Sequence, residues 1–153
     1  MSKRASNKVT ASVNIDATPE EVWATVMNPQ RLKEWVTIHR KLGKAPKSPL
    51  KSGDELDQTL NLRGVPFKVH WTVKEADAPK HAVWEGRGPA RSKARTVYEV
   101  TPNGNGTKFQ YVNEFDAPMG PLGSVASRVV MGGVPQREAN ATLQRLKKLL
   151  ESR

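Results

Sequence analysis

The sequence predicts an α+β fold in which a mainly antiparallel sheet is covered on one face by a long C-terminal helix. The first observation is the order of segments: a short alternating segment runs into a capped helix, further alternating segments follow without helices, and a helical stretch closes the chain. The second is the clean alternation in four segments, which is typical of antiparallel strands exposed to water on one side. The third is the closing stretch, Leu122 to Leu150, whose apolar stripe can cover the sheet.

The N-terminal part is predicted to be one strand followed by two short helices. The strand is indicated by four alternating apolar residues: Val9, Ala11, Val13 and Ile15. Thr18 is a suitable N-cap, Pro19 suits the first helical position, and Glu21 completes a capping box. A second helix begins at Pro29 and ends near Trp35, and an extended segment is predicted from there to residue 39.

The middle of the chain is predicted to consist of strands joined by turns. A loop over residues 43–53 comes first, and the strongest hairpin turn is Asn103 to Gly106. Alternation assigns one face of these strands to the interior. That face carries Leu56, Gln58, Leu60, Leu62, Phe67, Val69, Trp71, Val73, Ala82, Trp84, Ala94, Thr96, Tyr98, Val100, Phe109, Tyr111, Asn113 and Phe115.

The closing helical stretch is predicted to start near Leu122 and to be interrupted at Gly132, Gly133 and Pro135. Glycine and proline destabilise a helix interior by about 1 and 3 kcal/mol, and proline lacks the N–H that would bond one turn back. A kink there would make Val129 to Val134 part of a cavity wall. Beyond it, the predicted sheet-facing stripe is Ala139, Leu143, Leu146 and Leu150.

The length of 153 residues indicates one domain, which we place at residues 8–152 after a basic flexible tail over residues 1–7. No run of about 18 apolar residues predicts a transmembrane segment, and the N-terminus lacks the apolar region of a signal peptide. The absence of cysteine excludes disulfides, thiolate metal sites and a cysteine nucleophile. We therefore expect a cytoplasmic protein, either a monomer or a homodimer.

The net charge of +10 comes from 25 Lys and Arg against 15 Asp and Glu. Such a charge can attract nucleic acid or an anionic membrane surface. However, the basic residues are spread along the chain, and no recognition helix or mixed aromatic and basic motif accompanies them. A solvated basic surface is therefore favoured, and nucleic acid is not the expected partner.

Several fragments in this order resemble the polyketide cyclase/dehydrase and START-like (SRPBCC) superfamily, whose helix-grip fold also occurs in the birch-pollen allergen family. They are Val13 to Trp23, Asn28 to Trp35, the turn at Asn103 to Gly106, and the terminal helix. The resemblance implies a seven-stranded antiparallel sheet wrapped around a long C-terminal helix, with two short helices after strand 1. It also implies a cavity for lipids, sterols, polyketides or other apolar molecules. Glu34 to Arg40 further looks like actinobacterial members, some of which are described as toxins of toxin–antitoxin pairs.

No catalytic, metal or cofactor motif is recognised, so catalytic residues are left unknown and no metal or cofactor is expected. Alternation exposes His70 to solvent, and His81 lies at a turn. His39 lies beside Trp35 and is either an ordinary edge-strand histidine or a residue near the cavity mouth. Asp54, Glu55 and Asp57 are expected at a solvated hairpin end.

The candidate ligand-binding residues are the large aromatic and uncharged polar residues of the predicted inner face, together with two valines of the terminal helix. They are Gln58, Trp71, Trp84, Tyr98, Phe109, Tyr111, Asn113, Phe115, Val130 and Val134. Buried polar groups require partners. These groups either bond to each other or to water, or they orient a ligand within an apolar pocket. Trp23 and Trp35 are expected to be core residues that hold the short helices.

Three functions are compatible with these observations. The first is binding of a hydrophobic or aromatic small molecule, lipid-like or polyketide-like, between the sheet and the C-terminal helix. The second is a polyketide cyclase or dehydratase in which Tyr98, Tyr111 or His39 donates a proton. The third is a toxin-like component of a toxin–antitoxin pair, for which the positive charge would matter. We take the first as the leading hypothesis.

Overall fold

A computed structural model describes residues 6–62, 64–116 and 134–152 and shows a seven-stranded antiparallel sheet curled around one long helix. The strands are β1 (Ser6–Ile15), β2 (His39–Leu42), β3 (Glu55–Leu62), β4 (Val65–Asp77), β5 (His81–Arg87), β6 (Lys93–Asn103) and β7 (Gly106–Asp116). The helices are α1 (Pro19–Val26), α2 (Leu32–Trp35) and α3 (Val134–Glu151), with 3-10 turns at Pro29–Arg31 and Pro89–Arg91. The predicted fold class is confirmed.

The sheet follows the order β1-β7-β6-β5-β4-β3-β2, and every neighbouring pair is antiparallel. Strands β2 to β7 therefore form a meander of sequence neighbours, while β1 joins its far edge beside β7. The register extends β1 back to Ser6, opposite Asp116, so the pairing includes two residues assigned from the sequence to the tail. Residues 1–5 lie outside the described residues.

The two short helices begin as the sequence indicates. In the capping box, Thr18 Oγ1 accepts from the Glu21 N–H at 3.1 Å, and Glu21 Oε1 accepts from the Thr18 N–H at 3.2 Å. The segment after Trp35 differs from the prediction, because β2 begins only at His39. Leu32 and Trp35 are both buried at helical spacing, which holds the chain helical up to Trp35. A turn follows, in which the Val36 carbonyl accepts from the His39 N–H at 3.1 Å, so the strand starts four residues after Trp35.

Helix α3 covers the inner face of the sheet with the predicted stripe, since Ala139, Leu143, Leu146 and Leu150 are all buried. Its C-terminal end is bonded to the end of β1 and to the residue that follows this strand. Glu151 Oε2 accepts from the Asp16 N–H at 2.8 Å, and Lys147 Nζ donates to the Asn14 carbonyl at 2.7 Å. The predicted helix start near Leu122, the interruption at Gly132 and Gly133, and most of the predicted wall from Val129 to Val134 lie outside the described residues.

Among the described residues, no helix is long and apolar enough to cross a membrane.

Candidate ligand-binding cavity

A cavity of about 130 Å³ lies between the inner face of the sheet and α3. Seven of the predicted ligand-binding residues line it: Gln58, Trp71, Trp84, Tyr98, Tyr111, Asn113 and Phe115. Phe109 is not among the described lining residues. It is fully buried and contacts Trp35 and Tyr98, with ring centroids 6.2 and 5.3 Å apart. Val130 lies outside the described residues, and the structure describes only the backbone of Val134.

Strand register brings the lining residues into rows across the sheet. Thr96 of β6 pairs with Trp84 of β5 on one side and with Asn113 of β7 on the other. In the adjacent row, Tyr98 of β6 pairs directly with Tyr111 of β7. Because side chains on one face of a sheet recur every second residue, the two rows present their side chains to the same cavity.

Gly86 allows the indole of Trp71 to lie against β5. A Cβ atom at position 86 would stand 2.8 Å from Trp71 Cε3 and 2.7 Å from Val69 Cγ1, which is closer than carbon atoms pack. The indole therefore occupies the space that a side chain at position 86 would need. A glycine in a strand interior often marks such a close approach.

The aromatic wall is a continuous series of ring contacts. Trp71 meets Trp84 edge-on with centroids 5.9 Å apart, Trp84 meets Tyr98 at 5.5 Å, and Tyr98 meets Tyr111 at 6.1 Å. Contacts of this geometry contribute about 0.5–1.5 kcal/mol each beyond burial. The rings hold one another in place, so the wall is formed before any ligand arrives.

One group of polar side chains in the cavity is internally paired. Trp71 Nε1 donates to Gln58 Oε1 at 2.9 Å, and Gln58 Nε2 lies 2.9 Å from His39 Nδ1. An indole N–H can only donate, so Gln58 must direct its oxygen to Trp71 and its amide N–H to His39. His39 Nδ1 is then an acceptor, which requires a neutral ring with its proton on Nε2.

His39 holds one end of this hydrogen-bond series from the edge strand β2. Its position agrees with the interpretation of His39 as an ordinary edge-strand histidine. Burial, and secondarily the charge of Lys33, lower its pKa below the usual value of 6.5. Its own side chain is not among the described residues that line the cavity. It acts on the cavity through Gln58.

A second group of polar atoms has no partner among the described residues. Trp84 is 2% exposed, and its Nε1 has no hydrogen-bond partner among the described residues. No described hydrogen bond involves the hydroxyl groups of Tyr98 and Tyr111, and both residues line the cavity. Burial, together with the neighbouring Tyr111, raises the pKa of Tyr98 well above 10, and burial raises the pKa of Tyr111 to about 12. Both phenols therefore stay protonated at neutral pH.

Residues of α3, the β5–β6 connection and the start of β6 also line the cavity, and the sequence did not single them out: Ser92, Lys93, Glu138 and Thr142. Thr142 Oγ1 accepts from the Thr37 N–H at 3.1 Å, and Thr37 Oγ1 donates to Glu138 Oε2. These bonds join the α2–β2 connection to α3 across the cavity. The available signal was the spacing of Glu138 and Thr142, one turn apart beside the apolar stripe.

The remaining histidines lie on the outer face of the sheet. His70 is 48% exposed and bridges Glu55 at 2.7 Å and Asp57 at 2.6 Å, and hydrogen bonds to these two carboxylates raise its pKa. Burial lowers the pKa of His81, but hydrogen bonds to Glu99 and Glu75 outweigh it and raise the pKa overall. The described part of the chain contains no cluster of three or more side chains suited to a metal ion.

Comparisons with known proteins agree with this architecture. Residues 6–151 match the family described as polyketide cyclase/dehydrase and lipid transport. A protein of Mycobacterium tuberculosis H37Rv that is named a toxin is 22% identical over 135 residues, covering 87% of this chain and 94% of the relative. An uncharacterized protein of the same strain is 28% identical over 128 residues, covering 82% of this chain and 90% of its own length.

Solved structures show the same fold. A Thermus thermophilus protein superposes with a TM-score of 0.77 at 16% identity, covering 95% of this chain and 98% of its own. A START superfamily protein of Mycobacterium smegmatis gives 0.72 at 13% identity, covering 95% of this chain and 97% of its own. The family match over residues 6–151, together with this shared fold, confirms the resemblance noted in the sequence.

Proposed function

We propose that this chain, which belongs to the polyketide cyclase/dehydrase and lipid transport family, binds an apolar, ring-containing small molecule between the sheet and α3. The observation that carries the proposal is the cavity itself. Its wall is aromatic, and its polar groups are few and mostly uncharged. Small-molecule sites typically combine an apolar lining with a small number of placed polar groups. The family description supports a hydrophobic ligand.

The cavity volume indicates the size of the enclosed portion of the ligand. An engineered protein cavity of about 150 Å³ admits benzene. The cavity here, about 130 Å³, corresponds to one ring. Trp84 and Tyr98, whose rings are 5.5 Å apart, provide the aromatic surface against which that ring would pack.

The test is a screen of fluorescent hydrophobic probes and polyketide-like aromatics, followed by measurement of Trp84→Ala. Truncating this wall residue should weaken binding by about 1.5–3 kcal/mol, the transfer free energy of one large apolar contact. Val97→Ala, on the outer face of the neighbouring strand, is the control and should bind like wild type. If no compound binds more tightly than millimolar, the proposal fails.

A toxin-like activity is the second candidate, because a relative that matches 87% of the chain is named a toxin. Inducible expression in a bacterial host, with growth as the readout, tests it. Growth arrest that Trp84→Ala abolishes would connect toxicity to the cavity. Normal growth at high expression would count against this candidate.

A further inference from the structure

In the cavity, side-chain acceptors are paired with protein donors, whereas several side-chain donors are not paired. Each described side-chain acceptor of the paired groups already receives a donor: Gln58 Oε1 from Trp71, His39 Nδ1 from Gln58, and Asn113 Oδ1 from Thr96 at 3.0 Å. Donors remain over. The indole N–H of Trp84 is buried without a partner among the described residues. The hydroxyls of Tyr98 and Tyr111 and the Asn113 amide nitrogen take part in no described hydrogen bond, and all three residues line the cavity.

Unused donors at such a site are unusual. A buried polar group without a partner is costly, so native proteins leave few of them. Trp84 and Tyr98 are 2% and 4% exposed, and both line the cavity. Their rings lie 5.5 Å apart, and Tyr111 lies directly across the strand pair from Tyr98. The free donors thus belong to one continuous region of the wall.

We infer that Trp84, Tyr98 and Tyr111 form a donor subsite that receives a carbonyl oxygen of the bound ring. The inference rests on the proposed function and specifies its ligand class: an uncharged aromatic or alicyclic ketone, quinone or ester. A carbonyl oxygen has two lone pairs and no proton, so it complements several donors at once. A hydrocarbon would leave the donors unpaired, and a ligand that can only donate could not pair with the Trp84 indole N–H, which has no acceptor capacity.

A neutral acceptor fits the wall better than a carboxylate does. No cationic side chain belongs to the donor subsite, and the described lining contains only Lys93 and Glu138 as charged residues. Glu138 accepts a bond from Thr37, while Lys93 is exposed at the start of β6. An ion taken into an apolar site without a paired charge loses its hydration, whereas a carbonyl loses far less.

The experiment compares 1-indanone with indane, which share one carbon skeleton and differ by the carbonyl oxygen. Their dissociation constants are measured by calorimetry or by displacement of a fluorescent probe. Without protein donors, indane should bind more tightly, because the ketone is better solvated by water. With the donor subsite, 1-indanone should bind about fivefold or more tighter than indane. The infrared carbonyl band of bound ¹³C-labelled 1-indanone should also lie at a lower frequency than the band of the same ketone in an apolar solvent.

Three substitutions remove one donor each and keep an aromatic ring: Trp84→Phe, Tyr98→Phe and Tyr111→Phe. Each should reduce the preference for 1-indanone over indane severalfold. Each should also raise the frequency of the bound carbonyl band toward its value in an apolar solvent. Trp35→Phe is the matched control, because Trp35 is also buried with an unpartnered Nε1 but is not among the described lining residues. It should retain the preference.

The outcomes separate the inference from the function it rests on. If both ligands bind and indane binds equally or better, the donor subsite is wrong and the cavity proposal stands. If neither binds, the proposed function fails and the inference fails with it. A ketone preference that survives all three substitutions would show that other groups receive the oxygen. The comparison in wild type decides the ligand class even if one variant does not fold.

Discussion

At the residue scale, Gln58 has the most constrained position in the cavity wall. It is 5% exposed, and both ends of its amide are engaged, by Trp71 on one side and His39 on the other. Because an indole N–H can only donate, the Gln58 amide must turn its oxygen toward Trp71 and its nitrogen toward His39. The Gln58 N–H then requires an acceptor at His39 Nδ1, which fixes the tautomer of that ring. A residue of β3 thereby couples strand β4 to the edge strand β2.

We expect Gln58→Leu to destabilise the fold by about 1–3 kcal/mol, because it leaves the buried Trp71 N–H without an acceptor. Urea unfolding followed by circular dichroism measures the change. Gln110→Leu, a matched substitution on the outer face of β7, should change the free energy of unfolding by less than about 0.5 kcal/mol. Equal effects at the two positions would show that the Gln58 bonds contribute nothing specific.

The three histidines should titrate on opposite sides of 6.5, the pKa expected in the unfolded chain. Burial lowers the pKa of folded His39, whereas carboxylate partners raise those of His70 and His81. His39 then contributes stability that is present above pH 6.5 and is lost as the pH falls toward its folded pKa. His70 and His81 contribute stability below pH 6.5 that is lost as the pH rises through their folded pKa values.

Histidine ring signals in two-dimensional NMR, recorded between about pH 4 and pH 9, measure all three pKa values directly. His39→Asn assigns one signal and removes the lowest titration. A His39 pKa above those of His70 and His81 would contradict the described environment of the ring.

At the element scale, the contact between β4 and β5 determines the shape of the cavity wall. Gly86→Ala places a methyl group against Val69 and Trp71, so both side chains must shift. We expect a loss of about 1–3 kcal/mol of unfolding free energy, as is usual for overpacking, together with altered ligand affinity. Chemical denaturation and probe binding measure the two effects.

The double variant Gly86→Ala, Val69→Ala provides the internal control. Removing the Val69 methyl groups relieves the nearest contact, so the two substitutions together should cost less than the sum of their separate costs. Strict additivity would show that the methyl group at position 86 is accommodated elsewhere.

Elements were predictable from the sequence wherever one local pattern determined them. Alternation along β4, β6 and β7 identified the inward faces, and the capping box identified the start of α1. The prediction failed between Trp35 and His39, because the tertiary packing of a short helix decides that boundary. Phe109 was assigned to the wall because alternation gives the face of a residue but not its depth beneath that face.

The same limit applies to the partners within the site. Gln58, Trp84 and Tyr98 could be named because they share one predicted face of the sheet. Which of them are paired depends on register across strands and on side-chain rotamers, which composition and spacing do not specify. Glu138 and Thr142 lie one turn apart beside the apolar stripe of α3, but this spacing alone does not show that they reach the cavity.

At the scale of the whole molecule, the net charge of +10 is the property that the cavity does not explain. If this charge serves only solubility and long-range electrostatic attraction, nucleic-acid binding should be weak. It should also fall steeply between about 50 and 200 mM salt. Fluorescence anisotropy with duplexes and single strands of several sequences measures this. Tight binding with a sequence preference at physiological salt would instead favour the toxin-like candidate.

The pairing of β1 with β7 has a consequence for the order in which the chain assembles. Strands β2 to β7 meet their sequence neighbours, whereas Ser6 must find Asp116 and α3 must return to β1. Contacts between remote residues require closing a long loop, which costs chain entropy before any contact energy is gained. Local hairpins therefore have a kinetic advantage. We expect the meander to form early and the pairing of β1 and docking of α3 to come late. The inner face then stays open to the surroundings until the two ends of the chain meet, and a small apolar molecule present at that moment would be enclosed by the last step of folding.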